Sequence, residues 1–409
     1  MKPTTENLSN TTFYHLKNIS LSDKVCQGTA CFVARHLNQE LWKQAERQLC
    51  KIFCLGKCYA APATTQEATL PKIEIKSSQS IVLRRIQNGR SLERYVEAGG
   101  YRVLKEVLQQ KPSEIIESLR LSNLRGRGGA AFPTWKKWQA VASMQADRKY
   151  VVVNADEGDS GAFIDRFIIE NDPHCLIEAA LIAGYTVGAN QGFIYLRKEY
   201  PQALSILSEA IKEAHQAGML GAYIGNSSFN FDIEIVVGEG SYVCGEETAL
   251  LNSIEGKRPT AHYRPPYPTQ AGLWGKPTLI NNVETLANIG WIVENGGEAY
   301  AKIGFSKSQG TKVVSLNSLF HNPGLYEVDF GIPVRTIVEE FGGGLKTGDL
   351  KGVIIGGPLA GIIPPDLLDT RFGFEELRAI GASVGHGGVV AFDQKTSIIE
   401  LMHHIFSFG

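Results

Sequence analysis

The sequence has no long apolar run. None of its stretches approaches the roughly 20 apolar residues that a bilayer span requires, which excludes a transmembrane helix of ordinary length. Charge of one sign is also lacking. With 41 basic and 42 acidic residues the net charge is -1, so nothing draws the chain to nucleic acid or an anionic membrane. The first residues, MKPTTENLSNTTF, do not contain the apolar core of a signal peptide. These absences predict a cytoplasmic, soluble chain with no nucleic-acid partner. At 409 residues it is long enough for two or three domains.

Glycine is plentiful, and cysteine is concentrated at one end. Five of the seven cysteines lie within the first 58 residues. Without an export signal disulfides are not expected, and clustered thiols point to metal or cluster ligation. Four residues separate Cys26 from Cys31, and three separate Cys54 from Cys58. Two such loops suit a two-iron cluster. Only 22 residues lie between the pairs, so a segment that packs against a partner and binds nothing is the alternative. Cys50, Cys175 and Cys244 read as packing thiols.

The densest chemistry runs from Leu124 to Asp159. LRGRGGAAFPTWKKW sets Gly126, Gly128 and Gly129 among Arg125, Arg127, Lys136 and Lys137. Backbone free of side chains approaches a ligand closely, and the cations suit phosphate. The apolar run Val151 to Val153 then reads as a buried parallel strand. Asp156, Glu157 and Asp159 follow its C-terminal end, where open α/β sheets bind ligands.

From Ser91 onward helical and strand patterns alternate. LERYVEAGGYRVLKEVLQQ reads as an amphipathic helix, CLIEAALIAGYTVGA as a helix broken at Gly184 or Gly188, and GFIYLRKEYP and FDIEIVVGEG as strands. This is the pattern of a mostly parallel sheet covered by helices. After Gly310 come short β-type runs around one helix, which predict a small α+β domain. SIIELMHHIFSFG starts a helix and stops, so the sequence reads as cut short.

A second dense patch spans GEGSYVCGEETALLNSIEG and GLWGKPTLINNVETLAN. Glu246 and Glu247 suit a helix N-terminus. Asn281 and Asn282 are candidate ligand donors, or else caps of a turn or helix.

Taken with LRGRGGAAFPTWKKW and VVNADEGDSG, these motifs resemble the flavin- and NADH-binding subunit of respiratory complex I. They resemble more closely the diaphorase subunits of NAD-reducing nickel–iron hydrogenases and NAD-dependent formate dehydrogenases. The resemblance runs from about Ser91 to the end. It implies an α/β FMN/NADH domain with a mostly parallel sheet over 73–310, then a β-grasp (ubiquitin-like) α+β domain over 311–395. A shortened thioredoxin-like segment and linker would occupy 1–72, helped by TFYHLKN before Cys26, and 396–409 would start a helical bundle. FMN would be held by Gly126, Gly128, Gly129, Lys137, Asn154, Asp156 and Glu157, with Tyr242, Gly245, Glu246 and Glu247 lining the cavity. Asn281, Asn282 and Thr285 would close around the phosphate. NADH would meet Phe132 at its adenine and Glu247 at its ribose, with Asp159 and Arg264 nearby. The last two residue types match the hydrogenase and formate dehydrogenase versions. Cys26, Cys31, Cys54 and Cys58 would ligate a 2Fe-2S cluster. The family's 4Fe-4S ligands lie outside the 409 residues.

The implied function is an NADH:acceptor oxidoreductase, the diaphorase of an NAD-reducing hydrogenase partnered by iron–sulfur subunits. No side chain is required as acid or base; Glu157 and Asp159 would position the reactants. Flavin subunits of complex I or of formate dehydrogenase are alternatives. From another class come a sugar- or cobalamin-binding module and a decayed scaffold.

Overall fold

The computed structural model describes residues 24–48 and 51–408. TFYHLKN and Cys50 lie outside them. Four parallel strands form the first sheet, in the spatial order Asp232–Gly238, Gln191–Arg197, Tyr150–Ala155, Thr278–Asn282. The two central strands are buried on both faces, as their YVVV and FIYL cores require. From Tyr150–Ala155 the chain winds outward in one direction through two strands, then returns to place Thr278–Asn282 on the other side. The gap between Tyr150–Ala155 and Thr278–Asn282 is therefore a topological switch point, the preferred ligand position of such sheets.

Helix Pro173–Val187 is almost wholly buried. An all-round apolar helix belongs inside. It runs unbroken through Gly184 and ends at Gly188, whose φ of 75° is the left-handed cap that glycine favours. The amphipathic stretch after Ser91 forms two helices, Leu92–Glu97 and Arg102–Val107. Gly99 and Tyr101 between them have positive φ, which an α-helix cannot continue through.

The second sheet is mixed and six-stranded, in the order Lys72–Ile75, Gly324–Asp329, Thr311–Leu316, Gly388–Asp393, Leu350–Ile355, Ile362–Ile363. Its core includes Val314, Tyr326, Val338 and Phe372. Lys72–Ile75 pairs in parallel with Gly324–Asp329, so residues 73–75 belong to this sheet and the expected boundary at 72/73 is crossed. The reason lies in the KIEI alternation, a strand pattern too short to stand out.

Between residues 24 and 71 the described residues form short helices joined by isolated bridges, Cys26 to Ile52 and Val25 to Thr64. Both cysteine pairs lie in this segment, whose described residues form no sheet. The segment is embedded, not tethered. Ser318 N–H donates to Cys58 O at 2.9 Å, Arg197 Nη2 to Phe53 O at 3.0 Å, and the Thr29 and Ser160 hydroxyls lie 2.6 Å apart. Helix Ile398–Phe408 covers it from the other side, with His404 stacked 4.3 Å from Phe32. Among the described residues no helix is long and apolar enough to cross a membrane.

Candidate functional site

A cavity of about 830 Å³ opens at the switch point. That is room for a cofactor with part of a second ligand. Gly126, Gly128, Phe132, Lys137, Asn154, Glu157, Asp159, Tyr242, Gly245, Glu246, Glu247, Asn281, Asn282 and Thr285 all line it, so most of the expected site residues are brought together.

The glycine loop follows helix Pro112–Ser122 and leads into helix Thr134–Ser143. A Cβ on Gly128 would lie 2.8 Å from Asn282 Cβ, so only glycine lets the loop pass. Gly129 has φ 119° and is not part of the cavity wall. Of the four cations in this motif, one reaches the cavity. Arg125 pairs with Glu375 at 2.7 Å. Arg127 is fully buried and donates to Tyr300 Oη and Gln309 O. Lys136 is exposed. The arginines thus fasten the loop to the rest of the molecule, correcting their reading as phosphate ligands. Lys137 pairs with Glu247. Burial, then the charge of Arg264, pulls its ammonium down to about 8.

The acids divide into distinct roles. Asp156 lies beneath Gly245, outside the cavity wall, and burial raises its carboxyl to about 7. Asp159 accepts from Tyr242 Oη at 2.9 Å. Glu157 has φ 42°, a left-handed conformation that is strained for a side chain of this kind. Its carboxylate is held by Asp165 N–H at 2.8 Å, Arg166 N–H at 3.0 Å and Tyr200 Oη at 3.1 Å.

In the second patch, Glu246 is the N-cap of helix Glu247–Ile254 and accepts from Thr248 N–H and Ala249 N–H. Arg264 stands off the cavity wall and reaches Glu246 at 3.4 Å and Glu247 at 3.5 Å. Asn282 caps helix Val283–Ala287 and donates from Nδ2 to Asp165 at 2.6 Å. Thr285 Oγ1 accepts from Arg127 N–H. Asn281 accepts from the Trp138 indole with Oδ1, which leaves its amide N–H groups as donors.

Sequence reasoning missed Asp165, Leu359, His386, Ile405 and Phe406, which also line the cavity. Leu359 and His386 come from the second domain, and Ile405 and Phe406 from the last helix. The one available signal was a histidine flanked by glycines in VGHGG.

The four cysteines also converge. Cys26, Cys31, Cys54 and Cys58 are buried. Cys54 and Cys58 Sγ lie 3.8 Å apart, the edge of a tetrahedron with metal–sulfur bonds of ~2.3 Å. Gly28 N–H points at Cys26 Sγ at 3.3 Å and Ala63 N–H at Cys31 Sγ at 3.5 Å. The Cys31 thiol and backbone amides outweigh burial and bring Cys26 down to about 7. Cys54 is lowered likewise by its Cys58 partner, while Cys31 and Cys58 are raised well above the ordinary thiol range by those same hydrogen bonds and by burial, so one thiolate per pair is favoured.

A glycine loop, a half-buried cation and ordered acids at a switch point define a nucleotide-binding α/β protein. The Nuo51 FMN-binding domain family matches residues 105–291. The chain is 44% identical over 334 residues to the NADH-quinone oxidoreductase F subunit 2 of Rhizobium meliloti, covering 81% of this chain and 79% of that protein. It is also 44% identical over 319 residues to the HndC subunit of the NADP-reducing hydrogenase of Solidesulfovibrio fructosivorans, covering 78% of this chain and 65% of HndC, just under two thirds. A crystal structure of NAD+-reducing [NiFe]-hydrogenase in the air-oxidised state superimposes with a TM-score of 0.77 at 25% identity, over 97% of this chain and 73% of that one. The chain belongs to the family of FMN-binding NADH-quinone oxidoreductase F subunits.

Proposed function

We propose that the chain is the NAD(H)-oxidising, FMN-carrying module of an NAD-reducing hydrogenase located in the cytoplasm, working beside other iron–sulfur subunits. The observation that carries this reading is the cavity in which Gly128, Lys137, Asn281, Glu157 and Asp159 face one volume. These residues fit FMN: the loop tolerates no side chain, Lys137 offers a half-buried cation, and Asn281 retains free donors. Bound FMN would supply hydride acceptance from NADH and release of single electrons. The protein's share is positioning. Phe132 stands half-exposed at the rim, suited to stack on an adenine. Glu247, paired with Lys137 and Arg264, suits a ribose hydroxyl.

Cys26, Cys31, Cys54 and Cys58 fit a two-iron cluster by burial, pairing and amide donors. The cluster would adjoin the flavin cavity through Arg197, which donates to both Glu157 O and Phe53 O.

Sequence coverage does not separate a hydrogenase from a complex I origin, at 78% of the chain against HndC and 81% against the Rhizobium subunit. Support for the hydrogenase reading comes from the structural alignment, which spans 97% of the chain, cysteine segment included. Affinity purification of the tagged chain from its native host tests this. Nickel-containing partners are expected, and co-purification with membrane-bound quinone reductase subunits would overturn it.

A further inference from the structure

His386 is a histidine that the second domain inserts into the cavity wall of the first. Its neighbours Gly385 and Gly387 have φ of 47° and 94°. A Cβ on Gly385 would lie 2.0 Å from Gly356 O, and one on Gly387 would lie 2.6 Å from Lys312 Nζ. The backbone is thus closed in on both sides of the one large side chain. Lys312 Nζ donates to His386 O at 2.8 Å and is itself paired with Glu284, both fully buried. The loop is fixed before the imidazole makes any contact.

The imidazole then meets two carboxylates of the other domain. His386 Nε2 lies 3.2 Å from Glu157 Oε1 and 3.3 Å from Asp165 Oδ2, and all three side chains are buried. Every oxygen of these carboxylates already accepts from the protein: Glu157 from Asp165 N–H, Arg166 N–H and Tyr200 Oη, Asp165 from Glu284 N–H and Asn282 Nδ2. Two buried carboxylates this close need a compensating charge. The imidazolium supplies that counter-charge from within 3.3 Å of both carboxylates.

We propose that His386 is a positioning residue of the cofactor pocket: its positive charge draws Glu157 and Asp165 together and, through Asp165, holds Asn282 at the glycine loop in the shape that binds flavin. The proposal rests on the FMN reading above. Burial alone would lower the histidine, but Asp165 and Glu157 outweigh it and hold the imidazolium well above its ordinary range. Asp159 also feels this charge. Arg166, Arg197 and Tyr200 face Glu157 from the far side, and the Lys312–Glu284 pair closes the remaining one. A folded-state value above the ordinary one means the stabilising charge is present at low and neutral pH and is lost as pH rises through the folded value.

The test is titration of FMN into the intact apoprotein, followed by quenching of flavin fluorescence between pH 6 and pH 10. Wild type is compared with His386→Gln, and the protonation state of the wild-type imidazole is followed by NMR over the same range. His386→Gln should bind FMN about tenfold more weakly at pH 7, on the order of 1.4 kcal/mol, and the wild-type imidazole should be charged at that pH. Equal affinity of His386→Gln and wild type at pH 7, or a neutral wild-type imidazole there, overturns the proposal. If His386→Gln fails to fold, the NMR titration of wild type carries the test, and a neutral imidazole at pH 7 overturns it. Absence of FMN binding by wild type would instead strike the flavin reading, before His386 is tested.

Discussion

Gly128 shows how much one missing side chain decides. The loop passes Asn282 at a distance that excludes even a Cβ. A branched side chain must therefore push the loop or the Asn282 cap away from the cavity. Gly128→Val should release FMN on gel filtration while the protein keeps its secondary structure by circular dichroism. Stoichiometric flavin after the column would remove the loop from the binding account. The cations of the same motif teach the opposite lesson. In sequence Arg125 and Arg127 look like phosphate ligands, because a basic residue beside glycines carries no mark of which way it points. The tertiary partners that turned them aside, Glu375, Tyr300 and Gln309, lie 170 or more residues away and could not be read locally. His386 was hidden for the same reason: its carboxylate partners sit on another domain, more than 200 residues earlier in the chain.

Among the elements, three strands of the first sheet and most of its helices were legible, because period-two or continuous apolar runs bounded by glycine or proline are strong local signals. Thr278–Asn282 was not, since TLINN ends in two asparagines that suggest a turn. It is a strand because its neighbour Tyr150–Ala155 offers a full parallel ladder. Lys72–Ile75 escaped for want of length. The cysteine loops were legible as pairs, but their depth was not. They sit against Arg197 and Ser318 instead of hanging from a linker. Cys54 Sγ lies 3.8 Å from Cys58 Sγ and 4.0 Å from Ala162 O. Anaerobic reconstitution of wild type should give about two irons per chain, and Cys54→Ser should lose them while retaining FMN. Equal iron in the two proteins, or none in wild type, would make the segment a docking piece and not a cluster site.

Across the whole molecule, three pieces converge on one cavity. The first domain supplies the glycine loop, the acids and the asparagines; the second domain supplies Leu359 and His386; the last helix supplies Ile405 and Phe406. The second domain is therefore part of the pocket as well as a cover beside it. Hydride delivery from a reduced nicotinamide nucleotide to bound flavin is the function proposed for this pocket. The decisive measurement loads the purified chain with FMN and adds NADH without oxygen while the flavin absorption band is recorded. The band should bleach in proportion to added NADH and return on adding ferricyanide. A bound flavin that neither NADH nor NADPH reduces would contradict it.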